Sequence, residues 1–344
     1  MSIVRPILKK GQQTDKSNYG PISLLPTFSK VFEIIILARF QHFFYFNNIL
    51  SDSQYGFKKG CSTSSALHTV FQVVLDALDG SQCVGAIYCD LYKALDCINH
   101  SILLGKLQRY GLSGKALSLI TSYLSNRRQT VSLTHGEQLH GNWLETVSGV
   151  PQGSILGPFL FYVYLNDLSS NINSNVVCYA DDTTTISSSC DVNSLETVMN
   201  ETFFSLHKWF KSNGLHLNEE KTNVMLFWPV HRDYGTFNIN GINPTKSASL
   251  LGVAVDERLN WSTHIDNLCG KLTSITFAFR LLAPVVSKET ILQVYYAYAF
   301  SRLKYGIGFW GSSGDILRVF RLQKRIVRII SRANNRVHCK PLFK

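Results

Sequence analysis

Two adjacent carboxylates, Asp181 and Asp182, sit between two strand-forming runs, and few features constrain a fold more than that. Val176, Val177 and Tyr179 precede them, and Thr183, Thr184, Thr185 and Ile186 follow. These are residue types that suit a pleated, half-buried surface. The pattern predicts a tight hairpin with its acids at the tip. Two negative charges held that closely repel each other unless a cation neutralises them. Solvated turn aspartates would have the same spelling.

A second acid gives the pair context. Val84–Cys89 is an apolar, strand-like run that ends at Asp90, and Leu91–Asp96 then takes helical spacing. A buried strand delivering Asp90 beside the hairpin makes a carboxylate cluster of Asp90, Asp181 and Asp182. Such a cluster suits Mg²⁺, which prefers oxygen ligands and keeps several waters. Two ions about 3.5–4 Å apart stabilise the attacking and leaving oxygens of a phosphoryl transfer. Between the acids lies Ser148–Pro158, whose Gly149, Pro151, Gly153, Gly157 and Pro158 make a shaped loop before the apolar helix expected over Phe159–Leu165. Its glycines allow close approach of backbone to a ligand, and an ordinary strand-to-helix turn would also use them.

With these segments in hand, the chain resembles the reverse transcriptases of LINE-type, non-LTR retrotransposons of the jockey-like kind. The resemblance extends in order through Val4–Gly11, Asn18–Leu25, Gln54–Thr63, the Asp90 segment, Gly111–Gly114, Ser122–Gln129, Pro151–Gly153, Tyr179–Asp182, Leu217–Thr222 and Leu250–Val253. Several ordered blocks are far more specific than one motif. It implies an α+β right-hand polymerase fold of fingers, palm and thumb, with a helical C-terminal thumb. It also implies that Asp90 and Asp181 hold two Mg²⁺ ions, with Mn²⁺ as the substitute, and that Asp182 is the third, less engaged acid. By the same resemblance, Gln152 touches the incoming nucleotide, Gly153 lets the loop pack there, and Lys221 protonates the leaving pyrophosphate. A cation near that group is chemically sensible, because charge develops on its oxygens.

Three positions depart from the family pattern. Gly20 and Cys61 stand where arginine is common, and each removes a bidentate phosphate contact that neither residue replaces. Lys58 and Lys59 are the expected compensation near the nucleotide. Leu95 stands where an aromatic ring usually abuts the sugar, which loosens discrimination against ribonucleotides.

Charge and composition agree with a nucleic-acid enzyme. The net charge is +11, and a 344-residue chain with 45% hydrophobic and 17% charged residues is of ordinary globular type. A basic excess favours a polyanionic partner over neutral ones. The eight cysteines show no CxxC pair, which reads as buried thiols in a reducing compartment. No signal-peptide core opens the chain, and the apolar run Val31–Leu37 is too short to span a bilayer. An intracellular protein without membrane contact is expected, nucleus and cytoplasm being indistinguishable.

Organisation follows the same scheme: fingers elements over 1–80, palm over 81–257 with inserted fingers and helical segments, and a truncated helical thumb over 258–344. Helices are expected at Phe28–Phe46, where Val31, Ile34, Ile35 and Ala38 recur at helical steps, and at Ser64–Leu78. Another is expected at Leu195–Ser212, packing behind the hairpin with Glu196 and Lys208 outward. In the thumb, helices are expected at His264–Leu282, Lys288–Tyr305 and Asp315–Arg332. Arg318, Arg321, Arg325, Arg328 and Arg332 recur there at three- or four-residue steps as one basic stripe, placed to meet template–primer phosphates. Tyr295, Tyr296, Tyr298, Phe300 and Tyr305 are expected in the core rather than stacked on bases. Both ends look cut from a longer reading frame. The expected activity is extension of a DNA primer on an RNA template with dNTPs, an endonuclease being supplied by another protein. The alternative is a catalytically weak or inactive nucleic-acid-binding remnant.

Overall fold

Strand β1 (Ser2–Leu8) pairs antiparallel with β2 (Tyr19–Leu24), in a register running from Ile3↔Leu24 to Leu8↔Tyr19. This computed structural model describes residues 1–9, 11–135, 137–227, 237–334 and 337–343. Helix α1 (Thr27–Phe46) follows and is apolar almost all round. Periodicity therefore cannot select its inner face. The stripe Val31, Ile34, Ile35 and Ala38 points outward, and Glu33, Phe40 and Phe44 are buried instead. The inward Glu33 is not an error of packing, because backbone donors meet it: Oε2 accepts from Ile155 N at 2.6 Å and Leu156 N at 3.0 Å.

Helix α2 (Thr63–Asp79) begins where the Ser62 and Ser65 hydroxyls accept from each other's backbone N–H, a reciprocal cap. Strand β3 (Cys83–Cys89) is buried along its whole length. The helical spacing expected after it is realised only as a single tight turn, Ala94–Asp96, entered through Lys93 at φ 48°. Helix α3 (His100–Arg109) is capped by the Asn99 side chain, which accepts from Ser101 N and Ile102 N, and α4 (Gly114–Leu124) follows.

The chain then returns to its first sheet. Strand β4 (Arg128–His135) pairs parallel with β1, from Ser2↔Gln129 to Val4↔Val131. Strands β5 (Glu137–His140) and β6 (Leu144–Glu145) pair antiparallel with β4.

Helix α5 (Gly157–Leu165) is buried at every position but Pro158. Strands β7 (Asn175–Tyr179) and β8 (Asp182–Ser189) form the expected hairpin, backed by α6 (Val192–Ser212) and completed by β9 (Asn223–Phe227). The sheet order is β7-β8-β3-β9, all antiparallel. Along β3, Cys83, Ile87 and Cys89 face one core, and Val84, Ala86 and Tyr88 face the other. This alternation puts a hydrophobic layer on each side of the sheet. Glu196 of α6 is half-buried rather than outward, because Asn238 N donates to it at 2.9 Å; Lys208 is exposed as expected.

Beyond the hairpin of β10 (Ser247–Leu250) and β11 (Val253–Asp256) the chain is helical: α7 (Ser262–Leu282), α8 (Lys288–Val294), α9 (Ser301–Lys304), α10 (Ile307–Trp310) and α11 (Ile316–Ile330). Between α8 and α9, Tyr295–Phe300 is a π-helix, so the long helix expected there carries a wide turn in its middle. That turn leaves Tyr296 and Tyr298 more than half exposed while Tyr295 is buried, which divides the aromatic group expected in the core. No disulfide joins the cysteines among the described residues; Cys83, Cys89, Cys178 and Cys339 are buried, but Cys190 is exposed. No helix among the described residues is long and apolar enough to cross a membrane.

Candidate active site

Antiparallel pairing brings the three acids together. Cys89 faces Thr183 across β3 and β8, and Tyr179 faces Asp182 across the hairpin, so Asp90 leaves β3 beside the hairpin tip. The loop between β7 and β8 is only Ala180 and Asp181, with Ala180 at φ 56°. Two-residue hairpins favour such a positive φ at the first loop position. Asp181 and Asp182 both reach solvent. Even so, the protein around the Asp182 carboxyl, and then the Asp181 and Asp90 charges, push its pKa up to about 6. Asp90 has a counter-charge, with Lys221 Nζ 2.9 Å from Oδ2. The segment bearing Lys221 is pinned alongside: Asn218 N donates to Asp90 O at 2.8 Å, and Tyr92 N to His216 O at 2.8 Å.

No group of three or more His, Cys, Asp or Glu side chains among the described residues forms a ready-made metal cage. Mg²⁺ does not need one, since it commonly takes one or two carboxylates and fills its shell with water and substrate phosphates. The repulsion at Asp182 and the pairing of Asp90 with Lys221 reflect carboxylate oxygens close enough together to suit a divalent cation. The donor set fits.

A pH experiment follows. The folded-state pKa of Asp182 lies above its ordinary 3.8, so ionisation is disfavoured in the folded protein. Its stabilising effect is complete below pH ~4 and lost as pH rises through about 6. In EDTA, Asp182→Asn is expected to raise Tm by ~1–2 °C at neutral pH, a modest figure because the group is partly solvated. Calorimetry should show that gain closing as pH falls towards 4.

The loop at 148–153 is fastened to the residues after Asp90. Gly149 N donates to Ile98 O, Val150 N to Leu95 O, and Gln152 Nε2 to Asp96 Oδ1 at 3.0 Å. Its other side meets β2, where Ser23 N donates to Gln152 O at 2.7 Å. Gly153 has φ 114°, and a Cβ there would lie 2.9 Å from Ser23 O. What its missing side chain admits in this structure is the β2 backbone.

A cavity of about 490 Å³ lies between this loop and the first sheet, with Lys93, Asp96, Arg127 and Gln152 among its lining residues. That volume suits a small ligand of nucleotide size. Leu95, Gly153, Lys58 and Lys59 do not line it. Leu95 packs half-buried against the core. Lys58 pairs with Asp52 at 2.7 Å, while Lys59 is exposed. Sequence reasoning passed over Lys93, Asp96 and Arg127, although Arg127 lies in a quoted block.

At Gly20 the neighbouring cation is Lys9. A Cβ on Gly20 would meet Lys9 Cε at 2.1 Å and Lys9 Nζ at 2.9 Å. This lysine, one residue past the end of β1, thus lies where a side chain at position 20 would start.

Arg318, Arg321, Arg325 and Arg328 lie on α11, while Arg332, expected at the end of the helix, lies beyond it at φ 52°. Arg318 pairs with Asp266 at 2.7 Å, Arg328 Nε donates to Val337 O, and Arg332 donates to Ala283 O and Val286 O. Arg321 and Arg325 are exposed. A second cavity, of about 660 Å³, opens between β10–β11, α7 and the π-helix, lined by Lys271, Tyr298 and Arg302 among others.

Comparison with known proteins shows the family of the chain. The chain is 28% identical over 345 residues to a probable RNA-directed DNA polymerase from transposon X-element of Drosophila melanogaster, covering 96% of this chain and 37% of that protein. It is 29% identical over 346 residues to the RNA-directed DNA polymerase from mobile element jockey of Drosophila funebris, covering 95% and 37%. The chain thus spans less than half the length of these relatives. Among solved structures, apo telomerase from Candida tropicalis superposes with a TM-score of 0.52 at 12% identity, over 96% of this chain and 58% of that one. That likeness shows an α+β polymerase fold. Residues 7–255 match the family described as reverse transcriptase (RNA-dependent DNA polymerase), and the chain belongs to that family.

Proposed function

We propose that this chain is the polymerising part of an RNA-directed DNA polymerase, extending a DNA primer 3′-hydroxyl along an RNA template with dNTPs. The observation that carries the reading is the meeting of Asp90 with the Asp181–Asp182 hairpin; Gln152 edges a separate nucleotide-sized cavity that the three acids do not line. The names of the relatives support it. In hand terms, the first sheet with α1 and α2 forms the fingers, the β7-β8-β3-β9 sheet with α3–α6 the palm up to residue 257, and the helices beyond it the thumb.

Reverse transcriptases generally use divalent ions, which supply charge neutralisation at the attacking, transferring and leaving oxygens. Asp90 and Asp181 would hold them, with Asp182 adding to the field. Lys221 Nζ donates to Asp90 Oδ2 at 2.9 Å, and it is the group here to give a proton to the departing pyrophosphate. Asp96 orients the Gln152 amide, and the fastened 148–153 loop fixes one wall of the nucleotide site. Lys93 and Arg127 provide the cations of that cavity. Arg321 and Arg325 are the arginines of α11 left to meet backbone phosphates.

Lys9 is the proposed stand-in for the missing cation at position 20. Lys9→Met is expected to weaken primer–template binding several-fold and to lower the slope of log affinity against log salt by about one. Gly20→Arg must first displace Lys9, so it should gain little. Fluorescence anisotropy across a salt series checks both.

The function itself is tested by primer extension on poly(rA)/oligo(dT) with Mg²⁺. Extension by the folded chain supports the reading. A folded protein that binds primer–template and adds nothing would be a binding remnant, and the polymerase reading would fall.

A further inference from the structure

Residues Ser53–Gly56 lie along the free edge of β7. Cys178 N donates to Ser53 O at 2.7 Å, and Tyr55 N donates to Cys178 O at 2.8 Å. Within this segment the Gln54 side chain is only 3% exposed, and it is turned to the hairpin tip. Its Nε2 donates to Ala180 O at 3.1 Å, while its Oε1 accepts from Ala180 N at 3.0 Å and Gly56 N at 2.7 Å. One planar amide therefore holds both backbone polar groups of Ala180, the residue before Asp181. Ala180 has φ 56°, a region that residues with a Cβ seldom occupy without support. The approach is close enough to demand glycine: a Cβ on Gly56 would lie 2.2 Å from Ala180 N.

We infer that Gln54 is a positioning residue for the polymerase reaction, setting the Asp181 carboxylate through the Ala180 backbone. The inference rests on the polymerase reading and deepens it. Gln54 touches no reacting atom in this arrangement; its partners are Ala180 and Gly56. The chemistry asks for an amide in particular, since the tip presents one acceptor and two donors to a single side chain. An ionised glutamate keeps the two accepted bonds, loses the donated one, and sets a charge against Ala180 O. Methionine has similar length and neither capacity. The same loop runs on to Lys58 and Lys59, so the segment that steadies the catalytic turn also sets where those lysines begin.

The test uses the full chain with Gln54→Met and Gln54→Glu. Hydrogen exchange followed by mass spectrometry over peptides spanning 175–184 reports the tip directly, without any need for activity. Exchange there should rise in both variants, more for Met than for Glu, with the peptides of α5 unchanged. Single-nucleotide extension should lose about 10- to 100-fold in kcat, as expected when a reacting group shifts by a fraction of an ångström to an ångström. KM for dNTP and primer–template Kd should stay within about threefold, the split expected of transition-state positioning. Unchanged exchange at the tip in a folded variant overturns the inference. So does a fall in activity that only tracks a fall in Tm, or failure of both variants to fold, since each assigns Gln54 a purely structural part. If the parent chain itself extends no primer, the polymerase reading fails, while the exchange arm still decides whether the amide fixes the turn.

Discussion

Asp181→Ala is expected to reduce primer extension by on the order of 10³-fold or more, the scale seen when an enzyme loses one of its main electrostatic groups. The residue stands in a two-residue loop, exposed to solvent and outside both cores. Its removal therefore leaves packing untouched, and Tm should not fall. A charge that helps to raise the Asp182 pKa also disappears, so that carboxyl should titrate lower in the variant. Primer–template affinity should remain near the parental value, because the binding cations lie elsewhere. Asp90→Asn should cost activity on the same scale, but it also strips Lys221 of its partner. Steady-state extension and anisotropy, measured on the same preparations, separate loss of chemistry from loss of binding. Residual extension within tenfold of the parent for Asp181→Ala would remove that residue from the centre of the reaction.

The largest loss of stability is expected at Glu33. Its side chain is 2% exposed, in a helix with few other polar residues, and it exists there because two backbone N–H groups at the start of α5 need an acceptor. A negative charge at that end of a helix is also favoured by the peptide dipoles. Glu33→Ala leaves Ile155 N and Leu156 N without that acceptor and opens a gap, costing about 2–4 kcal/mol. Glu33→Gln keeps an acceptor without the charge, and its loss should be roughly half as large. Urea denaturation of the three proteins decides, with the midpoints ordered parent, Gln, Ala. The effect should reach the active site, because Ile155 follows the Gln152 loop directly. Even the folded fraction of Glu33→Ala should therefore show a raised KM for dNTP.

What was legible in the sequence was what short-range pattern controls. The β7–β8 hairpin shows itself through β-favouring runs on both sides of a turn, and Asp90 through a buried run with an acid at its end. Once Asp90, Asp181 and Asp182 are joined by strand pairing, the centre of the proposed site follows. Helix α1 was legible as a helix but not in orientation, since a helix apolar on all sides gives no period to read. Its one buried carboxylate is explained only by donors more than a hundred residues away. Gln54 was hidden for the same reason: its partner Ala180 is distant in sequence, and an ordinary glutamine gives no local sign of a buried clamp. The arginine stripe was legible as far as Arg328, whereas Arg332 lies past the end of α11. The partners that engage three of its members, such as Asp266 and the carbonyls of Ala283, Val286 and Val337, lie on other segments. The π-turn at Tyr295–Phe300 left no mark in spacing that a regular helix would not also satisfy.

The parallel pairing of β1 with β4 has a consequence for how the protein is made. Ser2 is synthesised well over a hundred residues before its partner Gln129. At translation rates of about 5–20 residues per second, β1 waits on the order of ten seconds for that edge to be covered. In the interval it can pair only with β2, and its other side presents open backbone N–H and C=O groups to whatever is nearby. The first sheet is therefore begun early and closed late, and the nascent chain carries an unfinished β-edge while much of the palm has yet to be translated.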